Sequence, residues 1–183
     1  MGIINPEYVK QYSQGCDIFV ESGTWHGQSI EIIREMNFFK EIHSIELNKS
    51  LYDIAVEKFK DDSTIKIWHG DSPDVLREQI LPIIKGRITF WLDGHGCAGC
   101  LGSEKYGSCP LLHELESIKG FSVKDHVIFA DDQRMFDTDI WEMSREDYLS
   151  KLKSINENYK IDWLDSVGHC GTLCPKDVIV AHP

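Results

Sequence analysis

No stretch of this chain approaches the roughly 20 apolar residues that a bilayer-spanning helix needs, so a membrane-spanning helix is excluded. Basic residues are scarce. Nineteen Lys and Arg stand against 30 Asp and Glu, for a net charge of −11, and no basic stripe exists to offset phosphates. Nucleic acids and anionic membranes are therefore not expected partners. The start, Met1-Gly2-Ile3-Ile4-Asn5-Pro6, lacks the basic and long apolar regions of a signal peptide, and Pro6 stands where myristoylation wants Ser or Thr. The expected location is the cytoplasm. Linkers, internal repeats and low-complexity stretches are missing too, and 183 residues predict a single domain over 1–183.

What is present is a regular alternation of short apolar runs and amphipathic segments. Strands are predicted at 17–21, 41–46, 65–68, 88–92 and 127–130, with a closing pair at 161–164 and 178–181. Helices are predicted at 6–14, 28–36, 51–59 (capped by Ser50), 73–84 (capped by Ser72, with Pro73 first), from Pro110, and 144–155. Repeated βα units imply a parallel sheet covered on both faces. The expected fold is α/β: one Rossmann-like, doubly wound domain, mostly parallel, ending in an antiparallel hairpin. Trp68, Trp91, Phe19 and Phe129 are expected in the core, and His43 and His113 in structural roles.

The chemistry gathers where strands end. Ile88-Thr89-Phe90-Trp91-Leu92 runs into Asp93-Gly94-His95, and Val127-Ile128-Phe129-Ala130 into Asp131-Asp132. In a parallel sheet, ligands bind outside the carboxyl ends of the strands. Three carboxylates and an imidazole there suit a hard divalent cation. The first strand ends in Glu21, followed by the turn Ser22-Gly23-Thr24-Trp25-His26-Gly27. That turn departs from the dinucleotide pattern, with two glycines four apart and Trp25 between. Glu21 would repel a diphosphate but suits an ammonium or sulfonium. Glu46 ends the second strand, where an acid commonly receives ribose hydroxyls. Gly70-Asp71-Ser72 follows the third. Each feature alone also reads as ordinary turn or cap chemistry.

Together, the acid-ended strands resemble the class I S-adenosylmethionine-dependent methyltransferases over about residues 17–180. The block FWLDGH at 90–95, the helix start Cys109-Pro110-Leu111-Leu112, the pair Glu114-Leu115 and the strand ending in Asp131-Asp132 resemble a family of small methyltransferases. They are also similar to metal-dependent sugar O-methyltransferases. The resemblance implies that Glu21 holds the cofactor's ammonium, that Gly23, Thr24 and Gly27 shape the loop around its carboxylate, that Glu46 binds the ribose, and that Asp71 and Ser72 face the adenine. It implies Mg²⁺ or a similar cation on Asp93, Asp131 and Asp132, with His95 as the base beside Asp93. The expected acceptor is a hydroxyl of a sugar, a glycan or another small molecule. Residues 94–109 and 136–143 and the N-terminus are expected to select it, and a homodimer partner could add to them. A non-methylating metal-binding module, or a zinc-stabilised Rossmann-like binding module, is the alternative.

Six cysteines are many for a cytosolic chain. Cys97, Cys100, Cys109, Cys170 and Cys174 have metal-ligand spacing, and with His169 nearby they define a candidate structural zinc site. Free thiols are the other reading.

Overall fold

The β-branched and aromatic runs form strands, and the segments with apolar residues at helical spacing pack on them. The computed structural model describes residues 2–96, 102–141, 143–168 and 171–183. Its order is β1 (Gly2–Ile3), α1 (Pro6–Tyr12), β2 (Ile18–Ser22), α2 (Gln28–Glu35), β3 (Glu41–Glu46), α3 (Lys49–Phe59), β4 (Ile65–His69), α4 (Ser72–Val75), β5 (Ile88–Leu92), α5 (Leu111–Gly120), β6 (Val127–Ala130), α6 (Arg145–Ile155), β7 (Lys160–Gly168) and β8 (Leu173–His182). Among the described residues, no helix is long and apolar enough to cross a membrane.

The strands form one sheet in the order β1-β7-β8-β6-β5-β2-β3-β4. Pairs among β2 to β6 are parallel, while β8 joins β6, and β7 joins β8, antiparallel. This is the doubly wound sheet with a C-terminal hairpin that the alternation implies. The chain runs outward through β2, β3 and β4, then returns to place β5 on the other side of β2. That reversal is the switch point at which such sheets open a crevice. Register aligns the openings: Ser22 pairs with Leu92, and Leu92 with Ala130. The next residues, Gly23, Asp93 and Asp131, leave the sheet in one row.

Alternating side chains divide the core. Val20, Phe90 and Ile128 meet Leu76, Leu115 and Tyr148 on one face. Phe19, Trp91 and Phe129 meet Val9, Ile30 and Phe59 on the other. Each large apolar side chain so buried contributes about 1.5–3 kcal/mol, enough to fix which face of every strand looks inward.

Several boundaries differ from the sequence expectation. Helix α1 stops at Tyr12. The cap of α3 is Asn48, not Ser50: its Oδ1 accepts the N–H groups of Ser50 and Leu51 at 2.9 and 3.2 Å. Asn is as good a cap as Ser, and it comes first in the chain. Ser72 is the first helical residue, and Asp71 precedes it without a side-chain cap bond. The helix expected over 73–84 ends at Val75 and winds on as a π-type turn over Leu76–Ile80. The closing strands are longer than their apolar cores, because hairpin pairing carries them through polar residues as far as Gly168 and Leu173.

Candidate active site at the carboxyl ends of the strands

Glu21, the fourth residue of β2, is wholly buried. Its oxygens accept hydroxyl bonds from Ser29 at 2.5 Å and Ser44 at 2.6 Å. Burial pushes its carboxyl up to about 8, against those two bonds, and the nearby Asp93 and Glu46 add to the rise. Such a group ionises readily once a cation arrives. The loop beyond it is shaped by glycine. Gly23 has φ +86, and a Cβ there would lie 2.5 Å from the Asp93 carbonyl oxygen. Glycine thus lets the β2 and β5 loops touch. Gly27, at φ +73, closes the turn: its N–H donates to the Thr24 carbonyl at 2.8 Å, and a Cβ would strike the Phe59 ring. Thr24 faces inward, its hydroxyl 2.5 Å from that of Ser44.

Glu46 ends β3 with both oxygens engaged, accepting the N–H of Trp25 and of Asn48 at 2.8 Å each. The first bond holds Trp25 at φ +50, a left-handed conformation costing a bulky residue roughly 1–2 kcal/mol. The structure therefore brings Glu21, Gly23, Thr24, Gly27 and Glu46 together. Ser72 sits elsewhere than expected: its hydroxyl donates to Glu114 at 2.5 Å, inside the protein. Asp71 is half-exposed at the end of β4. A cleft of about 30 Å³ is lined by Ile3, Ile4, Gly23, Thr24, Asp93 and Ser29, the last of which bonds Glu21. A buried acid whose proton is easily displaced, beside a glycine turn, fits the ammonium end of an amino-acid-bearing cofactor.

The second region lies across the switch point. Asp93, His95, Asp131 and Asp132 are all buried. His95 Nε2 stands 3.0 Å from Asp93 Oδ1 and 3.6 Å from Asp132 Oδ2. Burial works against the imidazolium, but the Asp93 hydrogen bond and the charges of Asp93, Asp132 and Asp131 outweigh it and raise its pKa. Asp132 takes φ +58, a region that Asp tolerates better than most residues. Among the described residues, two groups of side chains come close enough to share a cation: Asp93, His95 and Asp132, and Asp131, Asp132 and Asp177. The expected trio of Asp93, Asp131 and Asp132 is thus divided between two overlapping groups, with Asp132 common to both. Asp and His oxygen–nitrogen sets of this kind suit a divalent metal.

Sequence reading missed the support around these acids. Asp177, wholly buried on β8, accepts the Ser166 hydroxyl at 2.9 Å and pairs with Arg134. Arg134 also reaches Asp132 at 2.7 Å. Only the hairpin's return brings Asp177 here, and no local motif marks it. Trp141 packs on the His95 ring at a centroid distance of 4.3 Å, and the Ser108 hydroxyl donates to the Ile140 carbonyl at 2.7 Å. The two segments expected to contact the acceptor therefore meet above His95. Of the cysteines, Cys97, Cys100 and Cys170 lie outside the described residues, as does His169. Cys109 and Cys174 are free thiols, and burial pushes Cys109 up to about 12. Among the described residues, neither cation-sized group contains a cysteine.

No known family and no curated protein matches the chain. Solved structures do. The O-methyltransferase TomG of Streptomyces achromogenes, involved in tomaymycin synthesis and solved with S-adenosylmethionine, aligns with a TM-score of 0.62 at 13% identity, covering 96% of this chain and 76% of its own. A Bacillus cereus O-methyltransferase in complex with S-adenosylhomocysteine aligns at 0.61 and 16%, over 98% and 82%. Thermotoga maritima spermidine synthase aligns at 0.57 and 9%, over 92% and 54%. The chain has the class I methyltransferase fold, a fold these neighbours put to more than one use.

Proposed function

We propose that this protein is an S-adenosylmethionine-dependent O-methyltransferase that uses a divalent cation to methylate a hydroxyl of a sugar, a glycan or another small molecule. The observation that carries the reading is the adjacency of two differently built acid sites: Glu21 beside the glycine turn, and Asp93, His95 and Asp132 one strand away. A scaffold has no use for both.

In this reading Glu21 takes the cofactor's ammonium, the Gly23–Gly27 turn lies along its carboxylate, Glu46 meets the ribose hydroxyls and Asp71 the adenine. When bound, the cofactor supplies an electrophilic methyl sulfonium, and Mg²⁺ or a similar ion stabilises the developing alkoxide. Asp93 and Asp132, with Asp131 behind them, would hold the ion. Asp93 would also orient the imidazole of His95, whose Nε2 stands 3.0 Å from its Oδ1, and would leave Nδ1 to take the proton of the acceptor. Trp141 and the walls of the site exclude water, and alignment of hydroxyl and methyl provides much of the rate.

Calorimetry with S-adenosylhomocysteine tests the class. Binding at micromolar to sub-millimolar ligand is expected, and no heat at about 1 mM, an affinity of roughly −4 kcal/mol, would sink it. Methyl transfer to a panel of hydroxylated acceptors tests the mechanism. Activity unchanged by EDTA would remove the metal while leaving the class intact.

A further inference from the structure

A carboxyl that none of these steps uses lies directly behind the site. Glu114 projects from α5 into the sheet and is wholly buried. Burial raises its pKa, and a buried acid is costly unless its oxygens are engaged. The engagement here is specific. Oε1 accepts the Ser72 hydroxyl at 2.5 Å. Among the described residues Oε2 has no hydrogen-bond partner, and the Ser22 hydroxyl accepts the N–H of Gly94 at 3.1 Å. A Cβ on Gly94 would lie 2.9 Å from Ser22 Cβ and 3.4 Å from Glu114 Oε1, so these groups are packed without spare volume.

The connections matter because of what they join. Ser72 follows Asp71 at the end of β4, on the cofactor side. Gly94 stands between Asp93 and His95 at the end of β5. One carboxyl from α5 therefore contacts both loops across the switch point. We propose that Glu114 is a positioning residue that sets the Asp71–Ser72 loop and the Asp93–His95 loop relative to each other, through Ser72 on one side and Ser22 with Gly94 on the other. The proposal builds on the methyl-transfer reading of this site and adds a residue that touches neither cofactor nor acceptor.

The test uses variants of the full chain, read by His95 spectra, melting temperature and S-adenosylhomocysteine binding. Ser72→Ala removes one small hydroxyl and leaves every residue near His95 in place. Its His95 ring signals, followed by long-range ¹H–¹⁵N spectra and assigned with His95→Gln, should move away from the wild-type positions while the melting temperature stays close to wild type. Glu114→Ala should weaken S-adenosylhomocysteine binding about tenfold. Glu114→Gln, which keeps a carbonyl acceptor for Ser72, should restore it to within about threefold. Superimposable His95 signals in Ser72→Ala overturn the proposal, as does binding by Glu114→Gln as weak as by Glu114→Ala. If Glu114→Ala does not fold, the Ser72→Ala spectra carry the decision. If the wild-type protein binds no S-adenosylhomocysteine, the methyl-transfer reading fails, but the response of His95 to Ser72→Ala needs no cofactor and still decides the positioning role.

Discussion

The two halves of the site treat acid in opposite ways. Around β2 and β3 each carboxyl is satisfied by neutral donors: two serine hydroxyls on Glu21, two backbone N–H groups on Glu46. Around β5, β6 and β8 the carboxyls crowd together, and the groups set against them are the His95 imidazole and the Arg134 guanidinium. In the proposed function, the neutrally bonded acids each receive one ligand group, an ammonium or a pair of hydroxyls. Crowded acids raise the local negative potential and draw a compact positive charge. If the proposed function holds, the difference separates binding from chemistry, and each half should fail in its own way.

The largest effect is expected from Asp132→Ala, since Asp132 belongs to both cation-sized groups and pairs with Arg134. Methyl transfer should fall by at least about a hundredfold, in line with losing a preorganised electrostatic contribution, and Mn²⁺ binding followed by electron paramagnetic resonance should be lost. S-adenosylhomocysteine affinity should stay within about threefold. A comparable loss of both affinities would erase the distinction between the halves. Glu21→Ala is the mirror experiment. Truncating one partner of a buried, hydrogen-bonded charge pair costs about 2–5 kcal/mol, so S-adenosylhomocysteine should bind at least about thirtyfold more weakly, with Mn²⁺ binding retained.

These contrasts were unequally legible in the sequence. The strands were readable because β-branched and aromatic runs end abruptly in acid, and five of those ends, from Glu21 to Asp131, marked the candidate site. The halves differ in range, however. Trp25 and Glu46 meet through adjacent parallel strands, a pairing that the βα alternation implies. Asp177 reaches Asp132 and Arg134 only by the return of β8, 43 residues after Arg134, and nothing around it announces a role. Ser72 shows a different limit. Its place before Pro73 reads as a cap, but a buried acid on α5 competes for its hydroxyl, and tertiary structure outweighs local preference.

Glu21 makes the comparison sensitive to pH. Its folded carboxyl titrates at about 8 because of burial, whereas an unfolded one titrates near 4.5. The folded protein therefore holds this proton more tightly than the unfolded chain. Its contribution to stability is greatest below about 4.5 and declines as pH rises towards 8. Ligand binding runs the other way. An ammonium favours the carboxylate, so binding expels the proton, and affinity for S-adenosylhomocysteine should rise with pH from 6 and level off above 8, by at most about tenfold per unit. Calorimetry in buffers of different ionisation enthalpy should detect proton release at pH 7, and Glu21→Gln should abolish both the release and the slope. A slope that survives Glu21→Gln would assign the proton to another group.

The smallest effect decides how far the cofactor half extends. Asp71 is half-exposed and makes no cap bond to α4, so Asp71→Ala should leave the melting temperature almost unchanged. If its carboxylate meets the adenine amino group, removing one hydrogen bond of about 0.5–1.5 kcal/mol weakens S-adenosylhomocysteine about two- to tenfold. The analogue carrying hypoxanthine in place of adenine lacks that amino group and should bind equally well to both proteins. Equal weakening of the two ligands would show that Asp71 shapes the loop instead of reading the base, and the line of single-ligand acids would then end at Glu46.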